Sequence, residues 1–357
     1  MTDTTKDIVS EVSVPESPVI EDVSEEISLP IPSEENRIPT IPQLCVALGI
    51  LGLALGSPTL VHYISEATQR ASTPTLEQVR VPEYAPSSVA DDAFYATSIE
   101  ATSAYVWDVA LQRALYTKNA SAQLPLASLT KLMTGLVAYE AYGKDAIVPI
   151  TLTAIKQEGE SGLRQGDEWS AQELLAYTLM TSSNDGAYAL AGSVGLVLLA
   201  EEVISPENAF IKRMNTKAEE LGLSHTYFTN PTGLDTSTAQ SGSYGSARDI
   251  SFLMEHIIKN TPDLLLQTKN TTAVFHNNVG NTFSATNTNQ HISNILNPLG
   301  SKTGYTDLAG GNLVVAFNIG LNHPIIISVL GSSREGRFSD VEALIQTITR
   351  AYRSTTP

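Results

Sequence analysis

The apolar positions after residue 100 follow two different periods along the chain. Alternation predicts a strand over Ala101–Asp108 with a hairpin partner over Gln112–Thr117, and apolar runs predict strands over Gly311–Ile319 and Pro324–Leu330. A spacing of three to four residues predicts helices over Leu126–Tyr142, Ala171–Met180, Ala187–Val203, Phe210–Leu221 and Ser339–Tyr352. Strands at both ends with helices between them favour an α/β (α+β) fold. We expect a mostly antiparallel sheet flanked by helices, with an inserted helical lobe.

A different pattern precedes this region, because residues 38–65 contain no Asp, Glu, Lys or Arg. The length of this stretch predicts a transmembrane anchor at 39–64; a cleaved signal peptide and a buried core helix are the alternatives. Residues 1–38 hold ten acidic and two basic residues and no aromatic one, so we predict a disordered tail. Residues 65–90 have the composition of a linker, and residues 91–357 form the predicted folded domain.

Charge and cysteine content exclude several classes of function. The net charge is -17 and no basic stripe occurs, which argues against nucleic-acid binding. The one cysteine, Cys45, allows neither an internal disulfide nor a thiolate metal site. The chain lacks the zinc-binding motif His-Glu-x-x-His, and we expect neither a metal nor a cofactor. It also lacks Gly-x-Ser-x-Gly, the nucleophile motif of ordinary serine hydrolases, so we do not expect an enzyme of that class.

Three short motifs carry the candidate chemistry: Ser128-Leu-Thr-Lys131, Ser182-Ser-Asn184 and Lys302-Thr-Gly304. On a helix, residues three apart lie on one face, so the Lys131 amine would lie beside the Ser128 hydroxyl. A lysine can take the serine proton only when it is neutral, which requires a pKa near 7 instead of about 10.4. Burial and the second ammonium of Lys302 would both lower it. Each motif alone is common as a cap or a turn; the ordered set indicates nucleophilic catalysis.

The flanking residues resemble the D-alanyl-D-alanine carboxypeptidases, the low-molecular-mass penicillin-binding proteins. The similar stretches are Tyr105–Asp108, Leu124–Thr134, Gly159–Asp167, Ser182–Ala187, Phe228–Asp235, Ser246–Asp249 and Gly300–Asn312. They span roughly residues 95 to 350. The resemblance implies a β-lactamase/transpeptidase-like fold.

The resemblance also implies catalytic roles. Ser128 would attack the carbonyl between the two terminal D-alanines and form an acyl-enzyme, with Lys131 as the general base. Ser182 would relay a proton to the leaving amine. The backbone N–H groups of Ser128 and Tyr305 would hold the oxyanion.

Substrate-binding roles are implied for five further residues. Asn184 would bind the substrate amide, and Lys302 would attract the terminal carboxylate. Thr303 and Gly304 would lie on an edge strand with which an extended peptide can pair, and the small Gly304 would let its backbone approach. Arg337 would assist in binding the carboxylate.

We therefore expect a carboxypeptidase that removes the terminal D-alanine of peptidoglycan stem peptides and is acylated by β-lactams. Its predicted location is the bacterial cell membrane, with a single pass and the catalytic domain outside the cytoplasm. An endopeptidase that cuts peptidoglycan crosslinks would use the same residues, so it remains the alternative within the family. A non-catalytic, membrane-anchored cell-wall binding protein is the alternative from another class. No Glu-x-x-Leu-Asn follows Asn184, so we do not expect β-lactamase activity.

Overall fold

The computed structural model describes Phe94 and residues 97–159, 161–199 and 204–355. These residues belong to one unit, Pro82–Pro357. The predicted tail at 1–38, the predicted anchor at 39–64 and the predicted linker at 65–90 lie outside the described residues. Among the described residues, no helix has the length and apolar character that crossing a bilayer requires.

Strands and helices alternate along the chain in short segments. The strands are β1 (Ser103–Asp108), β2 (Arg113–Lys118), β3 (Leu124–Pro125), β4 (Ile147–Pro149), β5 (Glu168–Ser170), β6 (Tyr227–Phe228), β7 (Ser243–Gly245), β8 (Thr272–His276), β9 (Thr282–Thr286), β10 (Pro298–Thr306), β11 (Gly310–Asn318) and β12 (Pro324–Ser332). The α-helices are α1 (Thr130–Ala141), α2 (Ala171–Thr181), α3 (Asn184–Leu198), α4 (Pro206–Glu220), α5 (Ala247–Asn260) and α6 (Gly336–Thr355).

The main sheet has five strands in the order β10-β11-β12-β1-β2. Every neighbouring pair in it is antiparallel, and the N-terminal hairpin β1–β2 joins the C-terminal strands through β12. The predicted antiparallel sheet closed by terminal segments is therefore confirmed. Strand β10, which carries the Lys302 motif, forms one edge of the sheet.

Both faces of the sheet are buried, because strand residues alternate between two apolar cores. In β11, Leu313, Val315 and Phe317 pack in the core that includes residues of α6. Val314 and Ala316 face the larger core, which includes apolar residues of α1 to α5. This burial on both faces explains why the late strands appear in the sequence as continuous apolar runs.

Four predicted helix starts, at Leu126, Ala187, Phe210 and Ser339, differ from the structure by three or four residues, since these helices begin at Thr130, Asn184, Pro206 and Gly336. Two of the differences have clear local reasons. The helix predicted from Leu126 begins at Thr130, after a short 3-10 turn in which Ala127 has φ +48°. The helix predicted from Ala187 begins at Asn184, because Ser183 caps it by accepting a hydrogen bond from the Gly186 N–H at 2.9 Å.

Helix α5 and the β8–β9 hairpin were not predicted. Helix α5 has its own start signal, since the Ser246 hydroxyl accepts a hydrogen bond from the Asp249 N–H at 3.1 Å. In the hairpin, Val274 and Thr282 are exposed, while Phe275 and Ala285 are buried. Exposed and buried side chains therefore alternate, but only over five residues in each strand. Few apolar residues therefore distinguish this strand pair from a loop.

Candidate active site

The Ser128 side chain lies in a one-turn 3-10 helix, Ala127–Leu129, directly before α1. Ala127 takes a left-handed conformation, φ +48°, which non-glycine residues seldom adopt. The Thr130 hydroxyl donates a hydrogen bond to the Ala127 carbonyl at 2.6 Å and stabilises this turn. Ser128 is therefore presented, half-buried, at the N-terminus of α1.

The Lys131 amine lies below Ser128 and is fully buried. Its Nζ lies 2.9 Å from Ser128 Oγ, 2.6 Å from Asn184 Oδ1 and 2.7 Å from the Thr232 carbonyl oxygen. The amide and carbonyl oxygens can only accept hydrogen bonds. A neutral Lys131 has two N–H groups for these two acceptors, so its lone pair faces the Ser128 hydroxyl. This geometry suits a base that removes the Ser128 proton.

Burial lowers the pKa of Lys131 to about 7. This value matches the one that the predicted role requires, and burial is its cause. The pKa of Lys302 is also low. Burial first, and then the charges of Lys131 and Arg337, hold the pKa of this lysine well below its usual range. Among the residues that the structure describes, the hydrogen-bond partners of the two buried amines are hydroxyl, amide and carbonyl oxygens, and none is a carboxylate.

Lys302 reaches the site from the edge strand. It pairs with Val314 across β10 and β11, and Nζ donates hydrogen bonds to Ser182 Oγ and to the Thr303 carbonyl, each at 2.8 Å. Ser182 ends α2 in a left-handed conformation, φ +61°. That turn aims its hydroxyl at Lys302, so the second motif and the third motif meet.

Gly304 brings the edge strand against the Ser128 turn. A Cβ atom at Gly304 would lie 2.9 Å from the Leu126 carbonyl oxygen and 3.2 Å from the Ser128 nitrogen. The sequence had suggested that this glycine admits the substrate backbone; the structure shows that it first admits the turn that carries the nucleophile. Tyr305 follows Gly304 on β10, so it is the strand residue next to the point where β10 approaches the Ser128 turn.

Three further predicted site residues contact the same region. Both polar atoms of the Asn184 side chain form hydrogen bonds: Nδ2 donates to the Glu158 carbonyl at 2.6 Å, and Oδ1 accepts from Lys131. Thr303 Oγ1 donates to Thr288 Oγ1 at 2.7 Å. Arg337 is buried, and its Nη1 donates to the Gly304 carbonyl at 2.7 Å. The structure thus brings all nine predicted site residues to one end of β10.

Sequence reasoning missed the role of the loop Asn230–Gly233, which it treated as a turn. The Thr232 carbonyl accepts from Lys131, and the Pro231 carbonyl accepts from Thr134 Oγ1 at 2.6 Å. Asn230 Oδ1 shapes the loop by accepting hydrogen bonds from the N–H groups of Thr232 and Gly233 at 3.1 and 2.7 Å. The sequence Asn-Pro-Thr-Gly is typical of a tight turn, but it does not indicate that this turn contacts Lys131.

Metal chemistry has no candidate ligand set in the part of the chain that the structure describes. No group of three or more His, Cys, Asp or Glu side chains there is arranged to hold an ion.

Residues 89–334 match the model of peptidase family S11, described as D-alanyl-D-alanine carboxypeptidase. The chain belongs to this family. It is 32% identical over 259 residues to D-alanyl-D-alanine carboxypeptidase DacF of Bacillus subtilis, covering 70% of this chain and 63% of that protein. It is 32% identical over 251 residues to a D-alanyl-D-alanine endopeptidase of Pseudomonas aeruginosa, covering 68% of this chain and 75% of the relative.

A solved family structure shares the fold. Penicillin-binding protein D2 of Listeria monocytogenes, in its ampicillin-bound form, is 28% identical, with a TM-score of 0.57. The alignment covers 70% of this chain and 97% of that one. The predicted family and the predicted fold class are confirmed.

The contact between the Asn230–Gly233 loop and the Ser128 turn yields a stability prediction. Gly233 has φ +79°, and a Cβ there would lie 1.9 Å from the Ala127 carbonyl oxygen. Gly166 has φ +88° with nothing within 4 Å, so it is a matched control for the backbone strain alone. We expect Gly166→Ala to lower the free energy of unfolding by about 1 kcal/mol and Gly233→Ala by about 3 kcal/mol, measured by urea denaturation. Equal losses would contradict the proposed close packing.

Proposed function

We propose that this chain is a serine-type D-Ala-D-Ala carboxypeptidase that removes the terminal D-alanine from peptidoglycan stem peptides. The 2.9 Å contact between Ser128 Oγ and the buried Lys131 amine carries the proposal, because it pairs a nucleophile with a base whose pKa is about 7. Family membership supports the choice of substrate.

The first step forms the acyl-enzyme. Neutral Lys131 takes the Ser128 proton while Ser128 Oγ attacks the carbonyl carbon of the penultimate D-alanine. The negative charge that develops on the carbonyl oxygen is stabilised by the backbone N–H groups of Ser128 and Tyr305. Collapse of this intermediate breaks the C–N bond, and the departing amine receives a proton through Ser182, which accepts a hydrogen bond from Lys302.

The second step hydrolyses the ester. Lys131, neutral again once its proton has reached the leaving amine, removes a proton from water, and the resulting hydroxide attacks the acyl carbon. The C–O bond to Ser128 breaks, and the serine oxygen regains a proton. The products are free D-alanine from the first step and a shortened stem peptide from the second. A β-lactam amide would acylate Ser128 by the same first step.

Lys302 and Arg337, on and beside β10, would bind the terminal carboxylate of the substrate. Lys302 and Arg337 are both buried there, and Thr303 adds a hydroxyl. A bound carboxylate would favour the protonated form of Lys302, because its negative charge would oppose the burial and the neighbouring cations that lower the pKa of this lysine. The substrate amide reaches Asn184 by replacing the Glu158 carbonyl as the partner of Nδ2.

An endopeptidase is the second candidate. The observation that favours it is the similarity, at 32% identity, to a relative named D-alanyl-D-alanine endopeptidase. Its chemistry is the same, but the leaving amine belongs to a crosslinking side chain instead of a free D-alanine. The two activities would therefore need different amounts of space for the leaving group. An assay of the reaction product distinguishes them.

We also propose that residues 39–64 anchor the chain in the bacterial membrane, with residues 1–38 in the cytoplasm and residues 91–357 outside it. The uncharged stretch supports the anchor, and the peptidoglycan substrate supports the orientation. External protease added to intact cells should cleave the folded domain or the linker at 65–90 and leave a tag on the first residues intact. Loss of that tag before the cells are broken would reverse the orientation.

Mass spectrometry of the full-length chain tests the proposed activity. We expect benzylpenicillin to add one penicilloyl group to the peptide that contains Ser128, and a D-Ala-D-Ala pentapeptide to lose one alanine. Ser128→Ala should abolish both, whereas the exposed control Ser121→Ala should keep both. An adduct without alanine release, together with cleavage of a crosslinked dimer, would favour the endopeptidase. A folded chain that forms no adduct would favour the non-catalytic binding protein.

A further inference from the structure

Three exposed leucine side chains lie at one end of the main sheet. They are Leu111 in the β1–β2 turn, Leu296 in the segment that leads into β10, and Leu321 in the β11–β12 turn. Their exposed fractions are 53%, 74% and 95%, so each leaves most of its apolar surface in water. Burial of such side chains is favourable, and a cluster of them indicates a binding surface. We call these three residues the leucine tips.

The register of the main sheet brings the leucine tips to the same end. Strand β10 begins where β11 ends, because the Asn318 N–H donates a hydrogen bond to the Asn297 carbonyl at 3.0 Å. Strand β12 begins where β1 ends, because the Val109 N–H donates to the Pro324 carbonyl at 3.1 Å. Neighbouring strands lie about 4.8 Å apart, so the three tips fit within roughly 20 Å.

Two of the turns that carry the tips are held by hydrogen bonds. The Leu111 N–H donates to the buried Asp108 carboxylate at 2.9 Å, and the Ile319 N–H donates to the His323 carbonyl at 3.1 Å. Asp108 Oδ1 also forms a hydrogen bond with His323 Nε2 at 2.9 Å, which joins the two turns. The tips are therefore presented in fixed positions, and little conformational entropy is lost when they bind.

The charge at this end of the sheet differs from that of the whole chain, whose net charge is -17. The segments that carry the tips contain no Asp or Glu; they are residues 109–112, 295–297 and 319–323. Two acidic side chains nearby already have basic partners. Glu255, which accepts from Gln112 Nε2 at 2.7 Å, pairs with Lys259, and Glu342 pairs with His291 at 2.8 Å.

The last turns of α6 add positive charge beside the tips. The Tyr352 hydroxyl lies 3.4 Å from His323 Nε2, so the C-terminal end of α6 lies next to the β11–β12 turn. Arg350 and Arg353, both exposed, belong to these turns, and no acidic residue follows Glu342 in the chain. Exposed leucines flanked by arginines are complementary to a surface of anionic lipid, which offers hydrocarbon below a layer of phosphates.

We propose that the leucine tips insert into the surface of an anionic bilayer, with Arg350 and Arg353 beside the lipid phosphates. The inference rests on the proposed anchor, because the linker predicted at 65–90 would keep the bilayer within reach and raise its effective concentration. Insertion of the tips fixes the orientation of the domain. Tyr305, near the opposite end of β10, is then directed away from the lipid, toward the peptidoglycan.

Chain lengths permit this orientation. Strand β1 begins at the end of the sheet opposite the tips, since Ser103 pairs with Leu330 near the end of β12. The nine residues of β10 span about 30 Å. The linker predicted at 65–90 can extend to roughly 85 Å. The chain can therefore run from the bilayer past the length of the sheet and enter β1 at its far end.

Quenching of tryptophan fluorescence by brominated lipid tests the inference on the full-length chain. Leu321→Trp in phosphatidylglycerol vesicles, brominated near the top of the acyl chains, should lose at least about half of the added fluorescence. Tyr227→Trp is the matched control, because Tyr227 is exposed and its small sheet contacts the opposite end of β12 at Gly331. The native Trp107 and Trp169 are buried and give the same background in both variants.

The charge of the lipid provides a second measurement. In phosphatidylcholine vesicles brominated at the same positions, quenching of Leu321→Trp should fall by at least about twofold, because the attraction of Arg350 and Arg353 is lost. Arg350→Gln with Arg353→Gln should produce a similar fall in phosphatidylglycerol. Neither measurement needs catalysis, so a failure of the proposed carboxypeptidase activity would leave the inference standing.

Flotation of the vesicles separates the inference from the proposed anchor. A chain that floats with the vesicles and shows quenching at position 321 but not at 227 supports the inference. Flotation with equal or absent quenching at the two positions keeps the anchor and overturns the inference, and a chain that does not float overturns both. A dimer in detergent that Leu111→Ser, Leu296→Ser and Leu321→Ser together convert to a monomer would assign the tips to a second copy of the chain and overturn the inference.

Discussion

The site depends on one buried amine. Lys131 lies in the first turn of α1, fully enclosed, with an amide oxygen and a carbonyl oxygen as its fixed partners. Holding that amine neutral at pH 7 costs about 5 kcal/mol relative to an ordinary lysine. The surrounding cores supply this stability, because α1 contributes apolar residues to the larger core while Lys131 contacts the polar cleft. The same burial that is unfavourable for the charge makes the amine a base.

Close backbone contacts keep the partners of Lys131 in place. The Asn230–Gly233 loop contacts the Ser128 turn through Gly233, and the edge strand contacts the same turn through Gly304. Asn312, fully buried on β11, donates to the Pro125 carbonyl and accepts from the Gly331 N–H, so it ties the sheet to the segment that leads into the turn. The cleft is thus formed by three segments that meet around Ser128, and their relative positions depend on the sheet.

Much of this arrangement could be predicted from periodicity and three motifs. The strands at both ends of the domain followed from apolar runs, whereas the edge position of the Lys302 strand was implied by the family resemblance. A pKa near 7 for Lys131 was a requirement of its role, and of the two causes expected for it, burial is the one that acts. Two features could not be predicted. The left-handed Ala127 carries no glycine signal, and the carbonyl groups of Glu158 and Thr232 belong to residues whose side chains have no catalytic character. Backbone acceptors are set by tertiary packing, which a residue pattern does not specify.

The dependence of acylation on pH tests the central claim most directly. The rate at which benzylpenicillin acylates Ser128 should rise with pH and reach half its plateau near pH 7, because only the neutral fraction of Lys131 accepts the serine proton and that fraction grows as pH rises through its pKa. Lys131→Arg, which remains charged, should lose the reaction across the whole range. A rate that stays constant between about pH 5 and 9, or a Lys131→Arg variant that is acylated at the wild-type rate, would contradict the account.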